Sequence, residues 1–333
     1  MRERAARLQS RVRPLASLAF IGRHATLFMA VGVLLGFAIP PLATLAQPLL
    51  VPTLLIPLTL ALVRLDWEAM LAWRHRVGTA MLLVVWLLGL SPLLVWLVTT
   101  AMVPIGLPLP LRQALVLMAA SSPIVSSVAI ALIVGLDATL AIVAVLLCTA
   151  LVPFTLPPLA AVLVGVTLDI GLGTFMLRLA LLVGLAFAAA AVIRRFVAAP
   201  TLLAHRELLD GLTVLNLMLF GLAIMDGVTA YAFERPGYVA TALVAAFVFN
   251  LGLQAAGYLA FMRLGRREAL SVALVSGNCN MGLVLVALQG KASFDVTVFF
   301  ALAQIPMYTL PALMTRAYRR ALLHAPQAKL QSR

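Results

Sequence analysis

The chain has 333 residues, 64% of them hydrophobic and 11% charged, with a mean hydropathy of +1.11; that apolar share is well above that of a soluble domain and excludes a single water-soluble core. A net charge of +13 does not imply nucleic-acid binding, because the basic residues sit at the ends of apolar runs and leave no basic domain to line a groove. The two cysteines, Cys148 and Cys279, both lie inside apolar runs, so neither a disulfide framework nor a metal motif is implied.

Residues 1–24 carry six arginines against the single acid Glu3, which reads as a basic cytoplasmic tail lying on anionic lipid. Ten apolar segments of crossing length follow, at 26–44, 48–63, 78–101, 112–134, 138–163, 173–193, 211–231, 238–262, 268–289 and 294–315. With the N-terminus in the cytoplasm, twenty arginines and lysines fall in inside loops and tails, while only Arg112, Arg235 and Lys291 fall outside. This asymmetry predicts a multi-pass protein of the inner (plasma) membrane with both termini cytoplasmic. Arg178 is left within a helix near its outer end, from which its long side chain reaches the interface.

The fourth and ninth segments are interrupted. The stretch 112–135 is apolar at both ends and broken at Ser121-Ser122-Pro123, with Ser126 and Ser127 following; Pro123 removes a backbone donor and breaks the helix. The stretch 267–290 is broken by Ser276-Gly277-Asn278-Cys279-Asn280, where glycine and two carboxamides weaken helix propensity and polar side chains at membrane depth must face protein, ions or water. Laid on each other without a gap, the two match at Arg112 with Arg267, Ala114 with Ala269, Leu115 with Leu270, Ser121 with Ser276 and Gly135 with Gly290. An odd number of crossings separates them, so they run in opposite directions. Each is followed by a proline-bearing segment, with Pro153, Pro157 and Pro158 in the fifth and Pro306 and Pro311 in the tenth.

The expected fold class is therefore an all-α polytopic membrane protein of ten transmembrane helices in two inverted five-helix repeats, with broken helices 4 and 9 crossing in a core domain. The expected domains are the basic tail at 1–24, a first repeat at 25–165, a second, inverted repeat at 166–316 and a cytoplasmic tail at 317–333. Paired interrupted helices in inverted repeats are the architecture of secondary transporters.

The polar groups around the breaks are the candidate contacts for a substrate or ion: Ser121, Ser122, Ser126, Ser127, Ser276, Asn278, Cys279 and Asn280. Each could instead be helix glue, bonding across helices for about 0.6 kcal/mol. Helix N-termini freed at the breaks favour a bound carboxylate or sulfonate. Asn250, mid-helix, either lines the cavity or bonds a neighbouring break. Asp226 is the one carboxylate placed within a membrane segment; it is a possible proton carrier, or else an interfacial acid that caps a helix end or pairs with Arg178 or Arg235. Asp137 and Asp295 follow the two broken helices and are expected to cap the next helix. Catalysis is disfavoured: an intramembrane aspartic protease needs two membrane aspartates, and His24, His75, His205 and His324 all fall in cytoplasmic segments.

These residues suggest a relationship. The run Phe249-Asn250-Leu251-Gly252, then Gly257-Tyr258-Leu259-Ala260, the basic turn from Arg263 to Arg267 and Ser276-Gly277-Asn278-Cys279-Asn280-Met281-Gly282-Leu283 resemble the eighth and ninth helices of the bile acid:sodium symporter family. The Ser-Pro break, Gly135, Leu136-Asp137-Ala138 and the prolines from Pro153 to Pro158 resemble its fourth and fifth. The resemblance implies a panel domain and a core domain, with transport of organic anions coupled to sodium. The chain departs from the family at its sodium ligands. Val275 stands at the glutamate position, Cys279 at the glutamine position, Val128 and Ala129 at the Ser-Asn pair, and Ala141 to Val145 where hydroxyls are expected, while Gly277 and Asn280 keep the pattern. Sodium gains from a carboxylate among hard oxygen ligands. The expected coupling ion is accordingly a proton or none, in preference to sodium, with no other cofactor. The expected partners are a small organic anion and membrane lipid, with no nucleic acid. The alternatives are a transport-inactive receptor or sensor on the same fold, and a sodium-dependent symporter using backbone ligands.

Overall fold

The structure is a computed structural model and describes residues 17–18, 20–64, 76–165 and 170–323. Most of the basic N-terminal tail, His75, His324 and the end of the C-terminal tail lie outside them. The described chain is all-helical, and its one β feature is an isolated antiparallel bridge. In chain order the helices are α1 (Ala25–Ala38), α2 (Pro40–Ala46), α3 (Leu50–Arg64), α4 (Val77–Val85), α5 (Ser91–Met102), α6 (Leu109–Ala120), α7 (Ser126–Val134) and α8 (Ala138–Leu163). They continue with α9 (Leu172–Phe196), α10 (Ala199–Ala204), α11 (Arg206–Ala223), α12 (Val228–Glu234), α13 (Pro236–Phe261), α14 (Arg266–Gly277), α15 (Met281–Ala287) and α16 (Phe294–Leu323).

Six stretches among the described residues are long and apolar enough to cross a membrane: Pro40–Arg64, Val77–Ile105, Ala138–Leu163, Leu172–Phe196, Arg206–Glu234 and Pro236–Leu264. A seventh is added if the two halves of α16 count as one. The chain is thus a multi-pass membrane protein by length and composition. One boundary read from sequence is corrected. The first apolar segment, expected at 26–44, stops at Ala38, and Ile39 leaves the helical region with φ −128° and ψ 77°. The cause is Pro40, which forces the residue before it out of the α region and starts the next helix at its first position. From there α2 runs through a short 3₁₀ turn at Gln47–Leu49 into α3, so the second span begins eight residues earlier than the expected 48.

The chain divides into two compact units that interleave along the sequence. Unit 1 comprises Met1–Leu65, Leu168–Leu243 and Gly282–Tyr308. Here α1 and α3 pack against α11, and α9 packs against α3. At one end of this bundle Arg64 pairs with Asp210 and donates to Thr213 Oγ1 at 3.2 Å, while Arg194 donates to the carbonyl of Val63 at 2.9 Å. At the other end Tyr231 and Arg235 gather on Asp295, the ion pair spanning 3.8 Å and Tyr238 Oη reaching the backbone oxygen of Asp295 at 2.9 Å. Asp295 is therefore not the cap expected from sequence. It lies inside α16, which starts one residue earlier at Phe294, and its carboxylate is taken by the Tyr231 hydroxyl and the Arg235 guanidinium.

Unit 2 comprises Asp66–Thr167, Val244–Met281 and Thr309–Arg333. Its centre is α8, against which α6, α7 and α14 pack, with α5 on α6. Asp137 caps α8 as expected, its Oδ1 accepting from Leu140 N at 2.9 Å. Between α4 and α5 the helix widens into a π turn at Trp86–Leu90, just before Pro92. A proline cannot donate to the preceding turn, and the widened turn absorbs that missing bond.

Candidate functional site

The two breaks meet within unit 2. The segment around Pro123 pairs with the segment around Cys279 as an antiparallel bridge. Ile124 N donates to Asn278 O at 2.8 Å, and Asn280 N donates to Ser122 O at 2.7 Å. Helix propensity fails at both places for the reasons read from sequence, and the groups released there would cost several kcal/mol each in an apolar interior. Here each break supplies the partner that the other needs.

The first break, from Ser121 in extended conformation (φ −78°, ψ 159°) to Val125, follows α6 and precedes α7. The second, residues 278–280, follows α14 and precedes α15. Under the gap-free match found in the sequence, the starts of α7 and α15 at Ser126 and Met281 fall in the same column, as do Gly135 and Gly290, both left-handed with φ 88° and 73°.

The side chains sort into two groups. Ser276 Oγ donates to Val272 O at 2.7 Å and accepts from Trp86 Nε1 at 2.9 Å. Asn250 Nδ2 donates to Gly277 O at 2.7 Å, and its Oδ1 accepts from Gln254 Nε2 at 2.7 Å. The hydroxyl of Tyr318 in turn donates to Gln254 Oε1. Cys279 Sγ lies 3.4 Å from Ser276 O. Of the two readings left open for Asn250, the bond to a neighbouring break is the one observed, and Ser276 is likewise tied into the scaffold.

The second group is buried without protein partners. Ser122 Oγ, Ser127 Oγ and Asn278 Oδ1 make no hydrogen bond to the protein, although Ser122 and Ser127 are fully buried and Asn278 is 1% exposed. Asn278 is held in one orientation by its Nδ2, which donates to Leu274 O at 2.8 Å. A buried polar atom left unpaired costs about 1–3 kcal/mol, so three of them amount to a cost comparable with a domain's whole stability unless something polar meets them. Asn280, which is buried, and Ser126, half-buried at the start of α7, are not among these unpaired groups.

Sequence reasoning missed the relay that holds the second break. Gln254 sits four residues after Asn250 on α13, and this polar pair on one face of an apolar helix was a usable signal. Tyr318 stands among Arg316, Arg319 and Arg320 and reads as an interfacial tyrosine; only the fold brings it to Gln254. The next residue, Arg319, donates to Ile133 O at 3.0 Å near the end of α7, so the last turns of α16 hold both broken helices. Close approach is what requires glycine at Gly277: a Cβ there would stand 2.7 Å from Asn250 O and 3.0 Å from Asn250 Oδ1.

Asp226 lies elsewhere, in unit 1, in the turn between α11 and α12. Its Oδ1 accepts from Thr44 Oγ1 at 2.7 Å, and it borders a cavity of about 180 Å³ with Gln47, Gln289, Phe294 and Thr297. Neither expected arginine partner reaches it. Arg178 donates to the carbonyls of Ala287 and Gln289, both at 3.3 Å, and Arg235 pairs with Asp295. Among the described residues no group of three or more His, Cys, Asp and Glu side chains is placed to hold a metal. Compared with known proteins, the chain is matched by no protein-family model and by no curated protein.

Proposed function

We propose that the chain is a secondary transporter that moves a small organic anion across the inner membrane by alternating access, on a fold of the bile acid:sodium symporter kind. In this reading α1, the α6–α7 pair, the α14–α15 pair and α16 complete ten crossings with the six long spans, in two inverted repeats with both termini cytoplasmic. The observation that carries it is the mutual pairing of the two breaks beside three buried oxygens without protein partners. Helix packing alone needs neither the breaks nor the unpaired atoms.

The anion is favoured by the sign of the surroundings. The described carboxylates of unit 2 are Asp137, which caps α8, and Glu268, in the first turn of α14, and neither stands at the breaks. The start of α7 has no side-chain cap and presents the positive end of a nine-residue helix. Sodium coupling is disfavoured for the same reason: Val275, Val128 and Ala129 supply no side-chain oxygen, and Cys279 supplies a soft sulfur.

The test is a thermal-shift screen of the purified protein with carboxylates, sulfonates and steroid-like anions, followed by uptake of each hit into proteoliposomes. Asn280→Leu is expected to abolish uptake while leaving the folded yield near that of the parent. Well-folded protein that neither shifts nor transports any anion would replace the carrier with a transport-inactive receptor.

A further inference from the structure

The three unpaired oxygens at the crossing differ in what they accept. A serine hydroxyl can donate or accept, whereas the Oδ1 of Asn278 can only accept. The bond from Nδ2 to Leu274 O fixes which way round the amide sits, so turning it to put the nitrogen where Oδ1 stands would give up that bond; the second N–H of Nδ2 does not change the acceptor character of Oδ1. A bare carboxylate or sulfonate has no hydrogen to offer, so it would meet the two hydroxyls and leave Asn278 Oδ1 facing negative charge. A group that carries its own donor meets all three.

Their placement makes a shared contact reasonable. Asn278 is the residue whose carbonyl receives Ile124 N, Ser122 is the residue whose carbonyl receives Asn280 N, and Ser127 is one turn from Ile124, to whose carbonyl its own N–H donates at 3.1 Å. All three side chains thus spring from the crossing itself or from the first turn after it. They are 0% exposed at Ser122 and Ser127 and 1% at Asn278, so bulk water does not serve them.

Resting on the carrier reading, we infer that the substrate bears a hydrogen-bond donor, a hydroxyl or an amide N–H, that binds Asn278 Oδ1 together with the hydroxyls of Ser122 and Ser127. The negative charge of the substrate lies apart from Asn278, toward the uncapped start of α7. The carrier is therefore selective for hydroxylated or amidated organic acids over the same acids without the donor. A site built to hydrogen-bond a substrate hydroxyl rejects the analogue lacking it much more strongly than an apolar pocket rejects a missing methylene.

The experiment uses the full-length purified protein and three matched pairs of probes: lactate against propionate, mandelate against phenylacetate, and cholate against the unhydroxylated cholanate. Binding is measured by calorimetry in sodium-free buffer and again with sodium. The hydroxylated member of at least one pair is expected to bind roughly tenfold or more tightly than its partner, about 1.4 kcal/mol per factor of ten. Asn278→Leu is expected to bring that ratio near one. Ser127→Ala serves if Asn278→Leu does not fold: it is expected to shrink the ratio and, because it removes a buried unpaired hydroxyl, to raise the melting temperature of the ligand-free protein.

Equal binding within every pair, with some anion bound and transported, overturns this inference and leaves the carrier standing. Binding of no anion, with no uptake, overturns both. Binding that appears only with sodium, that is weakened by Ser127→Ala and that shows no preference within any pair also overturns it, because the oxygens would then be serving a cation.

Discussion

The relay from Tyr318 through Gln254 to Asn250 makes a sharp forecast for a double-mutant cycle. All three side chains are buried, at 4%, 4% and 3% exposure, so a partner removed is not replaced by water. Gln254→Met keeps the shape of the side chain but leaves both Asn250 Oδ1 and the Tyr318 hydroxyl unpaired; at about 1–3 kcal/mol for each orphan the expected loss is about 2–6 kcal/mol. Tyr318→Phe leaves one orphan, Gln254 Oε1, for about 1–3 kcal/mol. The double variant also leaves one, Asn250 Oδ1, so it too should lose about 1–3 kcal/mol. It should therefore be more stable than Gln254→Met alone, although it carries one more substitution. Unfolding by titration with sodium dodecyl sulfate in mixed micelles, followed by tryptophan fluorescence, gives the four free energies. A double variant as destabilised as the sum of the singles would refute the relay, because residues in one network must couple and unconnected ones need not.

Gly277→Ala should lower stability by about 1–3 kcal/mol through overpacking against Asn250, and should also slow uptake because the second break is displaced; a variant that melts and transports like the parent contradicts the close approach. Uptake should persist when sodium is replaced by potassium or N-methylglucamine, and a strict, saturable dependence on sodium would sink the coupling argument. Where an inward proton gradient accelerates uptake, Asp226→Asn should abolish the acceleration, and Thr44→Val, which removes the bond to Asp226 Oδ1, should alter it; acceleration unchanged in Asp226→Asn rules out that residue as the proton carrier.

Much of the helical plan was legible in the sequence because the signals are local. Apolar run length located five of the six long spans to within about five residues at either end, and failed at the end of 26–44 and the start of the next span, where Pro40 and Pro41 restart the helix inside an unbroken apolar run. The breaks at Ser121–Pro123 and Gly277–Asn280 were readable from proline, glycine and carboxamide chemistry. What local chemistry could not supply was which orphaned group meets which. Ser276 and Asn250 look like Ser122 and Asn278 in composition, yet the first two are spent on Trp86, Gly277 and Gln254 and the second two are not. That division depends on contacts far apart in sequence, such as the 64 residues between Gln254 and Tyr318.

The pairing of the breaks also bears on how the chain is made. In the ten-crossing reading, Ser122 O and Ile124 N are synthesised early, and their partners Asn280 N and Asn278 O follow about 150 residues later. At roughly 5–20 residues per second that interval is on the order of ten seconds. Throughout it the first break has backbone groups that lipid cannot satisfy, so α6 and α7 have no stable home between fatty-acid tails until α14 arrives. Insertion of α6 and α7 should consequently wait on α14 and α15, with the early hairpin kept beside water or the insertion machinery and entering the bilayer only as a pair with its late counterpart.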